Sequence, residues 1–291
     1  MNQCTSVTPQ CPVSATTYGY RPNLPGNIIL CAVFGICMLA QLALSIKGRT
    51  WTWLIGLFIG CGLEFAGYMG RILMHSNPWD QSSFRLQIVA LILGPSFIAA
   101  GIDLTLKHIV IYFGAQYSLI KPALYTWGFI GLDIFSILLQ AAGGGLAASG
   151  ESDRKLLDIG NTVILVGIAL QVFQLVVFGI VSVYYAINVY RNRKASAVID
   201  GPSNPISLKY FMGMVAVAYV CVLLRCVYRL PEMAGGWGST LQRDEPLFLG
   251  LDGAAVAIAA IALAVAHPAI FFPVMGNGRK ERVVRDSEKF P

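Results

Sequence analysis

Seven runs of apolar residues dominate this chain: Asn27–Ile46, Trp53–Leu73, Ile88–Ile111, Leu124–Ala148, Ile159–Tyr190, Tyr210–Tyr228 and Leu247–Phe271. About 20 such residues, coiled as a helix, cross the hydrocarbon core of a bilayer. Only 12% of the chain is charged and its mean hydropathy is +0.64, whereas soluble domains carry about 25% charged residues. A soluble fold of this length cannot hide so much apolar surface. Lipid accepts helices or closed barrels, because every backbone polar group must be satisfied internally. Barrel strands alternate with period two, and these runs do not. The reading is an all-α integral membrane protein, a seven-helix bundle.

Lys and Arg in the connections set the expected orientation. One side carries thirteen: Lys47, Arg49, Lys107, Lys121, Arg191, Arg193, Lys194, Lys209, Arg279, Lys280, Arg282, Arg285 and Lys289. The other carries eight: Arg21, Arg71, Arg85, Arg154, Lys155, Arg225, Arg229 and Arg243. Of these eight, Arg71, Arg225 and Arg229 are expected within helices rather than loops. The positive-inside rule puts the C-terminus in the cytoplasm and the N-terminus outside. Three parts follow: an extracellular segment 1–25, a transmembrane domain 26–273 and a cytoplasmic basic tail 274–291. The net charge of +6 is spread between apolar runs, so nucleic acid is not an expected partner. An outside N-terminus gives Cys4 and Cys11 an oxidising setting in which a disulfide or two free thiols both stand. Cys31, Cys37, Cys61, Cys221 and Cys226 lie in apolar runs as small packing residues.

Ionisable residues inside the runs carry the functional signal, since each costs about 2.5 kcal/mol or more at a helix centre and turns inward to a partner. In LEFAGYMGR, Glu64 and Arg71 share one face with Tyr68 between them. In LDIFSILLQAAGGG, Asp133 and Gln140 share a face, and Gly143, Gly144 and Gly145 permit close helix approach or a bend. In LLRCVYRLPEMAGG, Arg225 and Arg229 share a face and Glu232 follows. Asp252 and His267 belong to the last run. Interhelical pairs that only set packing would account for any one of these. Together, Arg71, Gln140, Arg225, Arg229, Glu232 and Asp252 fall in the outer half, where neighbouring helices would make of them a polar cavity for an amphipathic ligand. His75, His108 and His267 lie at two depths with no metal-ligand spacing, so neither metal nor cofactor is expected, and His267 reads as a cap or interfacial group.

The motifs LEFAGYMGR, LGPSFIAAGIDLTL, GLDIFSILLQAAGGG, RCVYRLPE and AHPAI, in that order from about Tyr20 to Phe271, resemble the fungal RTA-like (aminocholesterol-resistance) proteins, the lipid-translocating exporter family. The resemblance implies seven helices at the plasma membrane, lipid movement, and resistance to amphipathic toxins. By motif, the family's polar positions fall on Glu64, Tyr68, Arg71, Gln87, Pro95, Asp133, Gln140, Gln171, Arg225, Tyr228, Arg229, Glu232, Glu245, Asp252 and His267. Asp103, in AAGIDLTL, departs from the pattern, where an aromatic is expected. An acid there alters ligand preference or pairs with Lys107.

Three function classes compete. A translocator of lipids or amphipathic small molecules, sphingoid-base or sterol-like, would use Glu64, Asp133 and Asp252 as protonation or cation sites and Arg225 and Arg229 for a phosphate or counter-ion. It would bind in the outer half, with Tyr68, Arg71, Gln140, Gln171 and Glu232 completing the site. A metal-free membrane-embedded enzyme acting on a lipid or isoprenoid would pair Glu64 with Asp133 or Asp252 as acid and base, and is the less favoured of the two. A seven-helix lipid sensor is an analogy of layout alone. Membrane lipids are partners in all three. Gly56, Gly60 and Gly67 in the second run suit helix packing within one chain or between two, which leaves a homo-oligomer open.

Overall fold

A computed structural model describes residues 9, 11–13, 16, 19–113, 118, 125–149, 154–193, 205–235 and 240–271. Cys4 and the basic tail 274–291 lie outside the described residues. Cys11 is disulfide-bonded.

Helices account for nearly all of the described chain, and seven spans are long and apolar enough to cross a membrane. They are α1 (Leu24–Gly48), α2 (Trp51–Ser76), α3 (Gln81–Phe113), α4 (Gly131–Ser149), α5 (Arg154–Arg193), α6 (Pro205–Ala234) and a composite seventh. A π-helical turn, Tyr125–Ile130, leads into α4. The seventh span begins with a short turn, Glu245–Leu247, widens into a π-helical segment, Phe248–Ala254, and continues as α7 (Ala255–Val265). Over their described residues the seven expected runs are helical, the seventh breaking at Ala266 and His267 before a short turn, Pro268–Phe271. The third continues through Asp103 and Lys107, and the buried Asp103 meets a polar partner from α5, described below.

The ends of the helices follow local chemistry. Asn23 caps α1, its Oδ1 accepting from the Gly26 N–H at 2.9 Å, with Pro25 in the first turn, where its missing N–H costs nothing. Arg49, at φ 54°, closes α1 in the left-handed conformation and donates to the Ile46 carbonyl. Asp80 caps α3: its carboxylate accepts from the Ser82 and Ser83 N–H groups at 3.3 and 3.1 Å and from the Ser83 hydroxyl.

The helices pack α1 on α2, α2 on α3 and α4 on α5, while α6 lies between α5 and α7, and α7 returns to α1. Helix α3 is the central post, touching α2, α4, α5 and α6. Glycines set the tightest approach. A Cβ at Gly60 would lie 2.6 Å from Ile98 Cγ1, and one at Gly67 2.5 Å from Leu91 Cδ2. The α2 glycines therefore face α3 of the same chain. On α4, a Cβ at Gly143 would meet the Gly160 carbonyl at 2.8 Å, while one at Gly145 would meet nothing within 4 Å. Large apolar side chains such as Ile36, Leu138, Phe173 and Ile180 stand exposed on the outer surface of the bundle, the face that lipid covers.

Candidate functional site

The inside of the bundle is unusually polar for so apolar a chain. Buried side chains include Glu64, Arg71, Gln87, Asp103, Asp133, Gln140, Gln171, Gln174, Arg225, Arg229, Glu232, Asp252 and His267. All but His267 form three groups at different depths. The N-terminal end of the bundle is the one where α1 begins and the seventh span starts.

The largest group lies toward that end, between α1, α2, α3, α6 and the seventh span. Asp252 is its hub. Arg229 grips it in a fork, Nε to Oδ1 at 2.9 Å and one terminal nitrogen to Oδ2 at 3.1 Å. Arg225 Nε lies 2.9 Å from the same Oδ1, at ion-pair distance but off hydrogen-bond alignment. Glu232 pairs with Arg229 one turn along α6 at 3.0 Å. The π-helical turn brings Asp252 inward at this point; extra residues of this kind recur where a side chain must be re-aimed.

Arg71 reaches toward the mouth of the same group. It donates to Asn27 at 2.9 Å, to Gln87 at 3.4 Å and to the Tyr20 hydroxyl at 3.2 Å, and pairs with Glu245 at 3.0 Å. Its guanidinium also covers the Phe248 ring, 4.3 Å from the centroid. Tyr20 lies outside the spans, and its burial raises the phenol above its ordinary value despite the Arg71 charge. Over this end lies a surface recess of about 520 Å³ lined by Tyr20, Arg243, Asp244, Glu245 and Pro246.

The sequence of α3 explains how Arg225 is held. Pro95 has no N–H, so the Leu91 carbonyl four residues earlier loses its helical donor. The Arg225 guanidinium donates to that carbonyl instead. The preceding residue, Gly94, makes room for the Glu64 carboxyl, since a Cβ there would lie 2.7 Å from Glu64 Oε1. The Gly-Pro pair thus forms both a recess and an acceptor. Three guanidiniums (Arg71, Arg225, Arg229) are matched by three carboxylates (Asp252, Glu232, Glu245). Glu64 is a fourth acid, buried, with neither oxygen hydrogen-bonded. The Tyr68 hydroxyl beside it is also unpartnered; its ring stacks on Phe34 at 5.6 Å.

A second group occupies mid-depth between α3, α4 and α5. Ser96 donates to Gln171 at 3.0 Å, and Gln140 donates to Ser136 at 2.8 Å and to the same Gln171 oxygen at 2.9 Å. The third lies nearer the C-terminal end. Gln174 of α5 donates to Asp103 Oδ2, and the Asp133 carboxyl of α4 lies within hydrogen-bond reach of Asp103. Apart from these, on α1, α2 and the end of the seventh span, Trp53 donates to Gln41 at 2.9 Å. His267 Nδ1 accepts from the Ala269 N–H at 3.1 Å, so Nε2 carries the proton and donates to Ser45 at 2.9 Å. His267 is a cap and is fully buried.

The expected site therefore divides. Glu64, Tyr68, Arg71, Arg225, Arg229, Glu232 and Asp252 come together. Gln140 and Gln171 form the separate mid-depth group, and Asp133 lies in the third group. Asp103 turns to Gln174 and Asp133, facing an acid where Lys107 was one expectation. Tyr20, Asn27, Ser96 and Gln174 escape a search for charges inside apolar runs, because they are neutral. Uncharged amides and hydroxyls in the same runs are the signal that would have found the latter three. Among the described residues no cluster of three or more His, Cys, Asp or Glu side chains has the makings of a metal site.

Seven helices around a buried lattice of ions and amides define a multi-pass membrane protein with a polar interior. The RTA1 like protein family model matches residues 57–275, and the chain belongs to that family. The chain is 29% identical over 303 residues to the sphingoid long-chain base transporter RSB1 of Saccharomyces cerevisiae (strain Lalvin EC1118 / Prise de mousse), covering 93% of this chain and 79% of the relative. It is 29% identical over 214 residues to protoporphyrin uptake protein 1 of the same species, covering 72% of this chain and 67% of that one. Protein RTM1 of that yeast is 27% identical over 219 residues, covering 74% and 67%. No solved structure matches the chain.

Proposed function

We propose that this protein translocates lipids or amphipathic small molecules, sphingoid bases among them, across the plasma membrane and so protects the cell against toxic amphiphiles. The N-terminus lies outside and the C-terminus in the cytoplasm. One observation carries the reading: polar groups follow one another through the bundle, from Arg71 and Glu64 through Gln140 and Gln171 to Asp103 and Asp133. A head group that crosses a bilayer needs such successive polar contacts, because each unsatisfied polar group in hydrocarbon costs several kcal/mol. Likeness to a sphingoid long-chain base transporter over 93% of the chain supports a cationic, single-chain cargo. Glu64, unpaired beside Tyr68 in an otherwise neutralised group, is the carboxylate available to such a head. In this reading movement runs down a gradient or with protons.

Flux tests it. Purified protein in phosphatidylcholine vesicles should speed the transbilayer movement of a radiolabelled sphingoid base. Asp133→Asn and Glu64→Gln should each reduce that rate at least tenfold. Flux equal to that of protein-free vesicles sinks the proposal, as does full activity in both variants.

A further inference from the structure

A second feature lies in the half of the bundle away from the Arg–Asp group. Between α3, α5 and α6 a cleft of about 730 Å³ opens sideways, toward the lipid, and is lined almost wholly by apolar groups. Its walls include Ile102 and Leu106 of α3, Val176 and Val183 of α5, and Val215 and Ala216 of α6. From Val176 to Ile187 it follows α5 for about 16 Å at the rise of a helix. That is a volume and an apolarity suited to a small ligand's hydrocarbon portion.

The acid pair adjoins one end of this cleft. Three successive residues of α5 make the connection. Gln174 donates to Asp103, the Leu175 carbonyl accepts from the Tyr219 hydroxyl at 2.8 Å, and Val176 is cleft wall. Tyr219 is also cleft wall, and its phenol lies within electrostatic reach of Asp103. Asp103 itself sits between Ile102 and Leu106 in sequence. From the α4 side, Phe129, one turn before Asp133, packs edge-on against Phe178 of the cleft at 5.5 Å.

The pair is short of donors. Asp103 and Asp133 are both 1% exposed, and among the described residues their four carboxyl oxygens receive one protein hydrogen bond, from Gln174. Asp103 Oδ1 and both Asp133 oxygens have none. An acceptor facing an acceptor at this depth needs something between them: a shared proton or an N–H donor brought from outside. A buried carboxylate also favours a cationic donor over a neutral one.

We infer that cleft and acid pair are one binding site, which takes a single-chain amphiphile with the chain in the α3–α5–α6 cleft and an N–H-bearing ammonium head that donates to both Asp103 and Asp133 from the side. The head is recognised by charge and by N–H donors together, so a quaternary ammonium is excluded although it is cationic. No hydroxyls on the chain are required, since the cleft offers few polar partners for them. The site is reached from the leaflet on the C-terminal side, opposite the half that holds Glu64. As a loading station for translocation it rests on the function proposed above; as a binding site it is tested without flux.

The test uses the full chain in phosphatidylcholine vesicles and a long-chain primary alkylamine carrying a photoactivatable diazirine near the end of its chain. Labelled positions are mapped by mass spectrometry. Label should concentrate on Val176–Ile187 and Met212–Leu223 and fall at least tenfold with the alcohol and trimethylammonium analogues of the same chain. The Asp103→Asn, Asp133→Asn double variant should lower amine labelling to the level of the alcohol. Ala216→Trp fills the cleft and leaves both acids in place, and should remove the label by itself if the double variant does not fold. Equal labelling by amine and alcohol, or labelling unchanged in Ala216→Trp, overturns the site. Labelling as expected without flux refutes translocation and leaves the site standing; flux without labelling at the cleft does the reverse.

Discussion

Replacing Asp252 with Asn tests whether the Arg–Asp group is a structural unit. The change keeps shape and removes one charge, leaving Arg225 beside a neutral amide and Arg229 with Glu232 alone. Arg225 and Arg229 are 1% and 6% exposed, so water does not relieve them. Breaking a buried pair by removing one partner costs about 3–5 kcal/mol, because a charge is left uncompensated. Here the loss falls at the upper end, since Asp252 serves Arg229 through two hydrogen bonds and Arg225 through one ion contact. At about 2–4 °C per kcal/mol for chains of 150–250 residues, the midpoint of thermal unfolding in detergent should drop by roughly 10 °C or more. The assay is a thermal melt of Asp252→Asn, Arg225→Met and the double variant, read as a double-mutant cycle. The double variant should be more stable than Asp252→Asn alone, because it removes one orphaned cation. A drop under 2 °C for Asp252→Asn, or additive losses in the cycle, would refute the view that Asp252 neutralises both arginines.

Further outcomes follow from the same packing. Glu64→Gln should leave the melting midpoint unchanged or raise it, since it replaces a buried acid that has no hydrogen-bond partner by an amide of the same shape, while lowering flux; a large loss of stability would mean Glu64 is structurally paired. Gly60→Val should destabilise by about 1–3 kcal/mol through overpacking against Ile98 and the Gly94 carbonyl, seen as a lower midpoint than that of Gly145→Ala, which meets open space. Asp80→Ala should cost about 0.5–2 kcal/mol by uncapping α3. Hydrogen bonds from the Ser83 side chain foremost, and from the Ser83 and Ser82 N–H groups, outweigh a small desolvation and hold the Asp80 carboxyl below its ordinary value of 3.8. A lowered native value means the ionised cap stabilises the fold above pH 3.8 and loses that contribution as pH falls through the lowered value. The difference between wild type and Asp80→Ala should thus be constant from neutral pH to about 5 and vanish only below the carboxylate range, as urea or thermal melts across pH would report.

Much of this architecture was legible along the chain. Runs of about 20 apolar residues specify helices because lipid leaves the backbone no other way to satisfy itself. The spacing of Glu64, Tyr68 and Arg71 specifies one buried face, since helical period ties position to direction. The same holds for Arg225 with Arg229 and for Asp133 with Gln140. Period says which way a side chain points and nothing about what it meets. Only the packing of helices around α3 decided that Asp252 takes both arginines and leaves Glu64 without a donor. Packing alone set Asp103 against Asp133, and turned Gly60 toward Gly94 and Ile98 of the same chain. Pro95 shows the division most directly. That it frees the Leu91 carbonyl follows from its ring; that Arg225, 134 residues away, fills the vacancy follows from α6 lying beside α3, a neighbour relation that no local pattern encodes.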